Sequence, residues 1–463
     1  MHTPDLEQRR TATWVAEWAM DRLADRGVDG RAARAELAST ELPPIDSTGI
    51  GTAAAWTLLR DRVLATAQPT DHPRYLAFVA GAASVSAVLA DMAVSAAGVY
   101  AGSELEAGAV VAAERAALGW LAKLIGMPDT AHGAFVSGGT IANLSALVVA
   151  RHAAARRHGR QPNVILCGAS AHSSVRAAAV VMGCSVISVG DPDHPMSAAD
   201  LRAAFAGLDP RDVAGVVATA GATNTGAIDD LTGIAGVCSE FGAWLHVDAA
   251  YGGAALLAPR TWPAFAGINA ADSVTIDPHK WLFTPFDCGA VLYRDPALAR
   301  DVHAQTAPYL DVVSGVDQDN PADYAVHLSR RARGLPLWMS LIAHGTEAYE
   351  QAVDTCLDLA EHAAARVRDY PELRLVGEPS LSVVLLERLG WTDADYARWS
   401  ESARRRGLGL ITPTSARGRA ALRFCFVNPQ TTKADVDLIL QDLARSTCEV
   451  EPDLRKCSTV PIG

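Results

Sequence analysis

Asp277-Pro278-His279-Lys280-Trp281-Leu282 follows the apolar, strand-like run Ser273 to Ile276, and thirty-two residues before Lys280 stands Asp248, in Val247-Asp248-Ala249-Ala250-Tyr251. A lysine at the end of such a run is placed for desolvation, which favours the neutral amine that attacks an aldehyde. An aspartate closing a second apolar run, Ala243 to Val247, can hold a protonated ring nitrogen. Lysine plus aspartate in this arrangement is the protein's half of pyridoxal 5'-phosphate chemistry. The same two residues also allow a buried ion pair with no cofactor.

The surroundings of these segments set the fold class. From about residue 90 to 300, short β-rich runs alternate with helical patterns. The spacing predicts strands at Gly133–Val136, Asn163–Cys167, Ser185–Val189, Gly215–Ala218, Trp244–Val247, Ser273–Ile276 and Gly289–Tyr293. Helices are predicted between them, at Ala142–His158, Ser173–Met182, Ala198–Ala206 and Leu231–Glu240. Strand–helix alternation implies an α/β fold with a mainly parallel central sheet, whose ligands collect at the carboxyl ends of the strands. Upstream, Thr13 to Arg26, Asp29 to Leu42 and Thr52 to Ala67 carry apolar residues at helical spacing. Downstream, a helix from about 336 to 370 leads to strands at Leu381–Leu386 and Ala421–Val427 and a helix at Lys433–Ala444. The expected division is an N-terminal helical segment over 1–89, a large α/β domain over 90–345, and a small α+β domain over 346–463.

Bulk properties narrow the partners. At 463 residues the chain exceeds what one core usually holds. A net charge of −12 argues against a general nucleic-acid or anionic-membrane binder. No apolar run has the length of a membrane helix, and Met1 to Glu7 lacks the basic and apolar regions of a signal peptide, so a cytoplasmic protein is expected. The eight cysteines form no Cys-x-x-Cys, suiting neither a zinc site nor a disulfide framework. No metal is therefore expected.

Other residues add chemistry. In Ser137-Gly138-Gly139-Thr140, the paired glycines precede a long helix and can admit a phosphate to backbone amides, though many such turns are merely structural. His172 can stack on a flat ring, or simply stand near a helix start with Ser173 as N-cap. Ala250 is small enough to leave a ring face uncovered. Thr219 and Thr223 can reach a phenolic oxygen or cap a turn.

Taken together these segments resemble the group II pyridoxal-phosphate-dependent amino-acid decarboxylases, which include aromatic-L-amino-acid, glutamate and diaminobutyrate decarboxylases. The resemblance is carried by His72-Pro73-Arg74, Ser137 to Thr140 with Ala142-Asn143-Leu144, Ala171-His172-Ser173-Ser174, His246 to Tyr251, Asp277 to Trp281, Leu328-Ser329-Arg330-Arg331 and Leu422-Arg423. It runs in collinear order over roughly residues 50 to 440, and it implies fold type I, that of aspartate aminotransferase. It also implies that Lys280 is the Schiff-base lysine, that Asp248 keeps the pyridine nitrogen protonated, and that His172 and Ala250 sandwich the ring. Gly138, Gly139, Thr140 and His279 are implied to bind phosphate, and Thr223 to lie near the ring. Tyr309 occupies the place of a mobile-loop tyrosine that protonates the substrate α-carbon. Because such loops reach the neighbouring subunit's site, the resemblance implies a homodimer.

Two departures stand out. Ile141 replaces the usual glutamate at the helix start, and Asp277 replaces the asparagine of several relatives, so Asp277 is expected to face a donor rather than the phosphate. The substrate wall is expected to involve Phe78, Gly81 and Tyr100, with small residues at Thr70, Val79 and Gly102. That leaves room for an aromatic or bulky L-amino acid and its conversion to amine and CO2. The alternatives are oxidative decarboxylation to an aldehyde and action on an aliphatic or diamino acid. Arg74 and Arg330-Arg331 are the evident cations for a second substrate carboxylate.

Overall fold

A computed structural model describes residues 3–24, 42–305, 307–308 and 320–446. The expected helix over Asp29 to Leu42 falls almost wholly outside them, and so do Tyr309, Cys448 and Cys457. Among the described residues no helix is long and apolar enough to cross a membrane.

Seven strands form the central sheet: β1 (His132–Val136), β2 (Val164–Gly168), β3 (Ser185–Val189), β4 (Val213–Thr219), β5 (Leu245–Asp248), β6 (Ser273–Ile276) and β7 (Gly289–Tyr293). Their order is β1-β7-β6-β5-β4-β2-β3. Strands β6, β5, β4, β2 and β3 pair in parallel, while β7 is antiparallel to both neighbours. Two successive reversals give β1 the same direction as β6. The chain segments after β1, β2, β4, β5 and β6 therefore all emerge on one edge of the sheet.

Alternation along each strand sends side chains to two cores. Phe135, Leu166, Val216, Ala218, Leu292 and Val274 face one side, where they meet helices α4 (Glu104–Ile125), α7 (Ala198–Ala206), α8 (Leu231–Phe241) and α10 (Leu335–Val367). Ala134, Val136, Ile165, Cys167, Val217 and Val291 face the other, under α5 (Gly139–His158) and α6 (Ser173–Met182). Packing on both faces explains why these strands read as continuous apolar runs.

The flanking units are smaller. Helix α1 (Leu6–Ala24) lies against α2 (Thr52–Leu58) through an edge-to-face Trp18–Trp56 pair 5.4 Å apart and a bond from Ala53 N to Glu7 Oε1. Arg22 pairs with Asp71. Helix α3 (Val85–Ala97) is tied to α10 by Ser84 Oγ to Ser340 Oγ at 2.7 Å and Ser86 Oγ to His344 Nε2 at 2.9 Å. Helix α9 (Pro296–His303) follows the central sheet. Helix α10 bends at Gly345 (φ 73°, ψ 167°). After it come β8 (Leu373–Leu375), β9 (Val383–Arg388), α11 (Asp393–Arg405), β10 (Thr412–Ala416), β11 (Arg419–Cys425) and α12 (Lys433–Arg445). The four strands form an antiparallel sheet in the order β10-β11-β9-β8, a small α+β unit.

Candidate active site

The sheet edge where β1, β2, β4, β5 and β6 end borders a cavity of about 380 Å³. Its lining includes Gly138, Gly139, Thr140, His172, Thr219, Thr223, Asp248, Ala250, His279 and Lys280, so residues spread over 140 positions meet in one space.

Gly138 and Gly139 sit close against neighbouring side chains, which would have to shift to admit a Cβ. A Cβ on Gly138 would lie 3.0 Å from His279 Cε1, and one on Gly139 would lie 2.9 Å from Asp277 Oδ2. Helix α5 begins here, with no acidic residue in its first turn. Its opening amides have no partner within the helix, which makes this end a ready anion site. Ile141 packs on the core beneath the sheet instead of facing the cavity.

His172 itself, rather than Ser173, is the N-cap of α6: its Nδ1 accepts from Ser174 N at 3.2 Å. His279 Nδ1 accepts from Cys288 N at 3.0 Å, and burial holds its pKa below the usual histidine value, so the neutral ring carries its hydrogen on Nε2. Asp248 is buried at the end of β5. Its Oδ1 accepts from Ala250 N at 3.1 Å and its Oδ2 from Asn143 Nδ2 at 2.7 Å. The Thr219 hydroxyl is buried with no partner, whereas Thr223 is exposed at the cavity wall.

Lys280 departs from the desolvated neutral amine expected of it. Burial, the largest influence, pulls its pKa down, but the negative charges of Asp277 and Asp248 and a 2.9 Å contact of Nζ with Asp277 Oδ2 carry it above the ordinary lysine value. Without a cofactor the side chain is an ammonium held by Asp277. Asp277 thus faces a donor, as its substitution for asparagine requires.

The residues expected at the substrate wall have other contacts in the single chain. Phe78, Gly81 and Tyr100 do not line this cavity. A Cβ on Gly81 would fall 1.6 Å from the Lys280 carbonyl oxygen, so Gly81 is a backbone contact behind the lysine. Tyr100 packs over Gly102 and donates its hydroxyl to Leu328 O at 3.2 Å. Phe78 is 60% exposed on the surface of the single chain.

Other residues at or beside the site had no role assigned from sequence. Asn143 and Ser174 stood within quoted segments, and only their contacts reveal what they do. Arg423, on β11, is buried and donates Nη1 to Phe78 O at 3.0 Å, leaving Nε and Nη2 without a partner. By contrast, Arg74 bonds Asp435 and Gly407 O, Arg330 bonds Glu114, and Arg331 bonds Asp91.

This donor set fits a phosphorylated pyridine aldehyde. It offers an amine for the aldehyde, a carboxylate for the ring nitrogen, an unpartnered buried hydroxyl on the wall, and a glycine cradle at a helix start for the phosphate. Residues 58–387 match the model of the pyridoxal-dependent decarboxylase conserved domain. The chain is 31% identical over 395 residues to an aromatic-L-amino-acid decarboxylase of Bacillus atrophaeus, covering 82% of each protein. It is 32% identical over 474 aligned positions to an L-2,4-diaminobutyrate decarboxylase of Rhizobium meliloti (strain 1021), covering 96% of this chain and 94% of the relative. A crystal structure described as Oryza sativa TDC with PLP and tryptamine superposes with a TM-score of 0.86 at 23% identity, covering 96% of this chain and 99% of that one, which places the chain in the same fold. The chain belongs to the pyridoxal-dependent decarboxylase family and is a fold type I, pyridoxal-phosphate-dependent amino-acid decarboxylase.

Proposed function

We propose that this enzyme converts an L-amino acid with an aromatic or otherwise bulky side chain to its amine and CO2. The observation that carries the reading is the commitment of Arg74, Arg330 and Arg331 to internal carboxylates, which removes the evident cations for a second substrate carboxylate. Arg423 leaves both Nε and Nη2 without a partner, enough for one carboxylate, whereas Arg74 and Arg330 leave only a buried Nε. The name of the Bacillus relative adds support for an aromatic substrate, and that of the Rhizobium relative defines the diamino-acid alternative.

Bound at this site, pyridoxal phosphate supplies an electron sink for the pair left behind when the carboxylate departs as CO2. Lys280 would hold the cofactor by its aldehyde group. Asp248 keeps a proton on the ring nitrogen, the condition under which that sink is strongest. His172 covers one ring face and the small Ala250 leaves the other accessible. Gly138, Gly139, Thr140 and His279 hold the phosphate, and Thr219 or Thr223 meets the phenolic oxygen. Tyr309 donates the proton that quenches the α-carbon, a step that depends on exclusion of water.

We also infer a homodimer. Val85, Leu89 and Met92 on α3 are exposed beside Met339 and Ile342 on α10, and Phe78 is a further exposed apolar residue. An apolar area of this kind marks an association site, and a self-complementary twofold contact covers it most simply. Residues 1–89 serve dimerisation together with the part of 90–345 that carries Met92, Met339 and Ile342, the rest of 90–345 serves cofactor binding, and 346–463 forms the smaller domain.

The test is a panel of L-tryptophan, L-tyrosine, L-phenylalanine, L-histidine, L-glutamate and L-2,4-diaminobutyrate with added pyridoxal phosphate, read as amine and CO2 released. Amine from the aromatic acids supports the reading. Turnover confined to glutamate or diaminobutyrate overturns it, and aldehyde with ammonia in place of amine identifies the oxidative alternative.

A further inference from the structure

Behind Asp248 runs a set of buried polar side chains that reaches the cavity lining only at Asn143: Asn143 from α5, His246 from β5, Ser273 from β6, and Trp244 just before β5. Each is within hydrogen-bond distance of the next. Asn143 Nδ2 lies 2.7 Å from Asp248 Oδ2 and 3.0 Å from Ser174 Oγ. Asn143 Oδ1 lies 3.0 Å from His246 Nε2. His246 Nδ1 lies 2.8 Å from Ser273 Oγ, which is 2.9 Å from Trp244 Nε1.

The chemistry of the two ends dictates the direction of every bond between them. A carboxylate only accepts and an indole N–H only donates. Asn143 therefore turns its NH2 towards Asp248, since the reverse orientation would set its carbonyl against a carboxylate. Its Oδ1 must then accept, so His246 donates from Nε2 and accepts at Nδ1. Ser273 gives that hydrogen and receives one from Trp244. The second Asn143 hydrogen goes to Ser174 Oγ, whose own hydrogen goes to His172 Nδ1 at 2.9 Å. Thr275 Oγ1, 3.5 Å from His246 Nε2, is the other polar neighbour, and Asp248 is the charged group that acts on the histidine.

We infer that Trp244, Ser273, His246 and Asn143 form a one-way hydrogen-bond relay that fixes the Asp248 carboxylate for the cofactor ring nitrogen, with Asn143 as the branch that also turns the Ser174 hydroxyl hydrogen towards His172 Nδ1, already an acceptor from Ser174 N. These are positioning residues: they act through Asp248 and His172. One side-chain amide thereby orients the group at the ring nitrogen and the group on the ring face, so both are set before any ligand arrives. The inference rests on the assignment of Asp248 to the ring nitrogen.

The test compares His246→Leu, which removes the Nε2–H donor, with His246→Gln, whose amide can restore it, and with Asp248→Asn, in the full-length protein. The readouts are pyridoxal phosphate affinity by titration without substrate, and the pH dependence of the bound cofactor's visible spectrum. By analogy with the supporting shell of other cofactor sites, His246→Leu weakens affinity by about 10-fold or more and displaces the spectral pH profile, and His246→Gln recovers most of both. Trp244→Phe, which deletes only the terminal donor, shifts the same readouts in the same direction by less, and it serves if His246→Leu does not fold. The relay is overturned if folded His246→Leu, or Trp244→Phe in its place, titrates like the parent while Asp248→Asn does not. If Asp248→Asn also leaves the spectrum unchanged, the ring-nitrogen assignment fails instead.

Discussion

Gly81→Ala isolates the contact that sets the height of Lys280. The added Cβ would sit 1.6 Å from the Lys280 carbonyl oxygen, 2.7 Å from its carbonyl carbon and 3.3 Å from His279 O. Ordinary contact begins near 3.5 Å, so the two backbones must part by roughly 2 Å. Displacement of a reacting group by about 1 Å can cost on the order of 100-fold in rate, and overpacking costs about 1–3 kcal/mol of stability. The expected outcome is a loss of turnover on the order of 100-fold with weakened cofactor retention. Turnover, visible cofactor absorbance and thermal midpoint measure it. Gly119→Ala is the control, because nothing lies within 4 Å of a Cβ there and the position is inside α4. Alanine at that helical site is neutral or stabilises by up to about 1 kcal/mol. If Gly81→Ala retains parental turnover and cofactor content and changes only the KM for bulky substrates, the residue is a pocket wall and the backbone-contact argument is wrong.

Glu114→Ala leaves Arg330 charged and fully buried, and also strips the acceptor from Gly334 N. Breaking such a pair costs about 3–5 kcal/mol, so the denaturant midpoint should fall sharply, and an unchanged midpoint contradicts it. Burial holds the pKa of both His246 and His327 down at about 4. The unfolded chain takes up these protons near pH 6.5, before the folded one, so this stability is complete above that pH and is lost as pH falls towards 4. The loss is roughly 3 kcal/mol per histidine, and a urea midpoint that stays flat from pH 7 to 4.5 refutes it. Tyr309→Phe should keep the cofactor bound while amine formation falls and aldehyde appears, and an unchanged product and rate assign the proton transfer to another residue.

The central sheet was legible because most of its strands are buried on both faces, and the half-exposed edge strand β3 still carries the β-branched Val186, Ile187 and Val189. Ser185–Val189, Ser273–Ile276 and Gly289–Tyr293 appear at the expected residues, and the others differ by one or two positions at their ends. Strands β8 and β10 were not legible: three residues in Leu373–Leu375, and a half-exposed Thr412–Ala416 containing Pro413, carry no apolar run. At the site, residues that do chemistry at strand ends could be read singly, since each follows its own run. Lys280's charge state could not, because it depends on Asp277 Oδ2 at 2.9 Å as much as on burial. The close approach of Gly81 to the Lys280 backbone could not be read either, because a glycine that makes room for a substrate and one that admits a backbone look alike in sequence. The relay was hidden because Asn143 and His246 are 103 positions apart and meet only after β5 docks against α5.

The central claim is that Lys280 carries the cofactor. The chain has four lysines, Lys123, Lys280, Lys433 and Lys456, so the claim can be read directly. Borohydride reduction of the cofactor-loaded enzyme, followed by proteolysis and mass spectrometry, should find the pyridoxyl phosphate mass on the peptide containing Lys280. In Lys280→Ala the adduct, the visible absorbance and amine formation should all disappear. An adduct on another lysine, or amine formation at the parental rate by Lys280→Ala, contradicts the account.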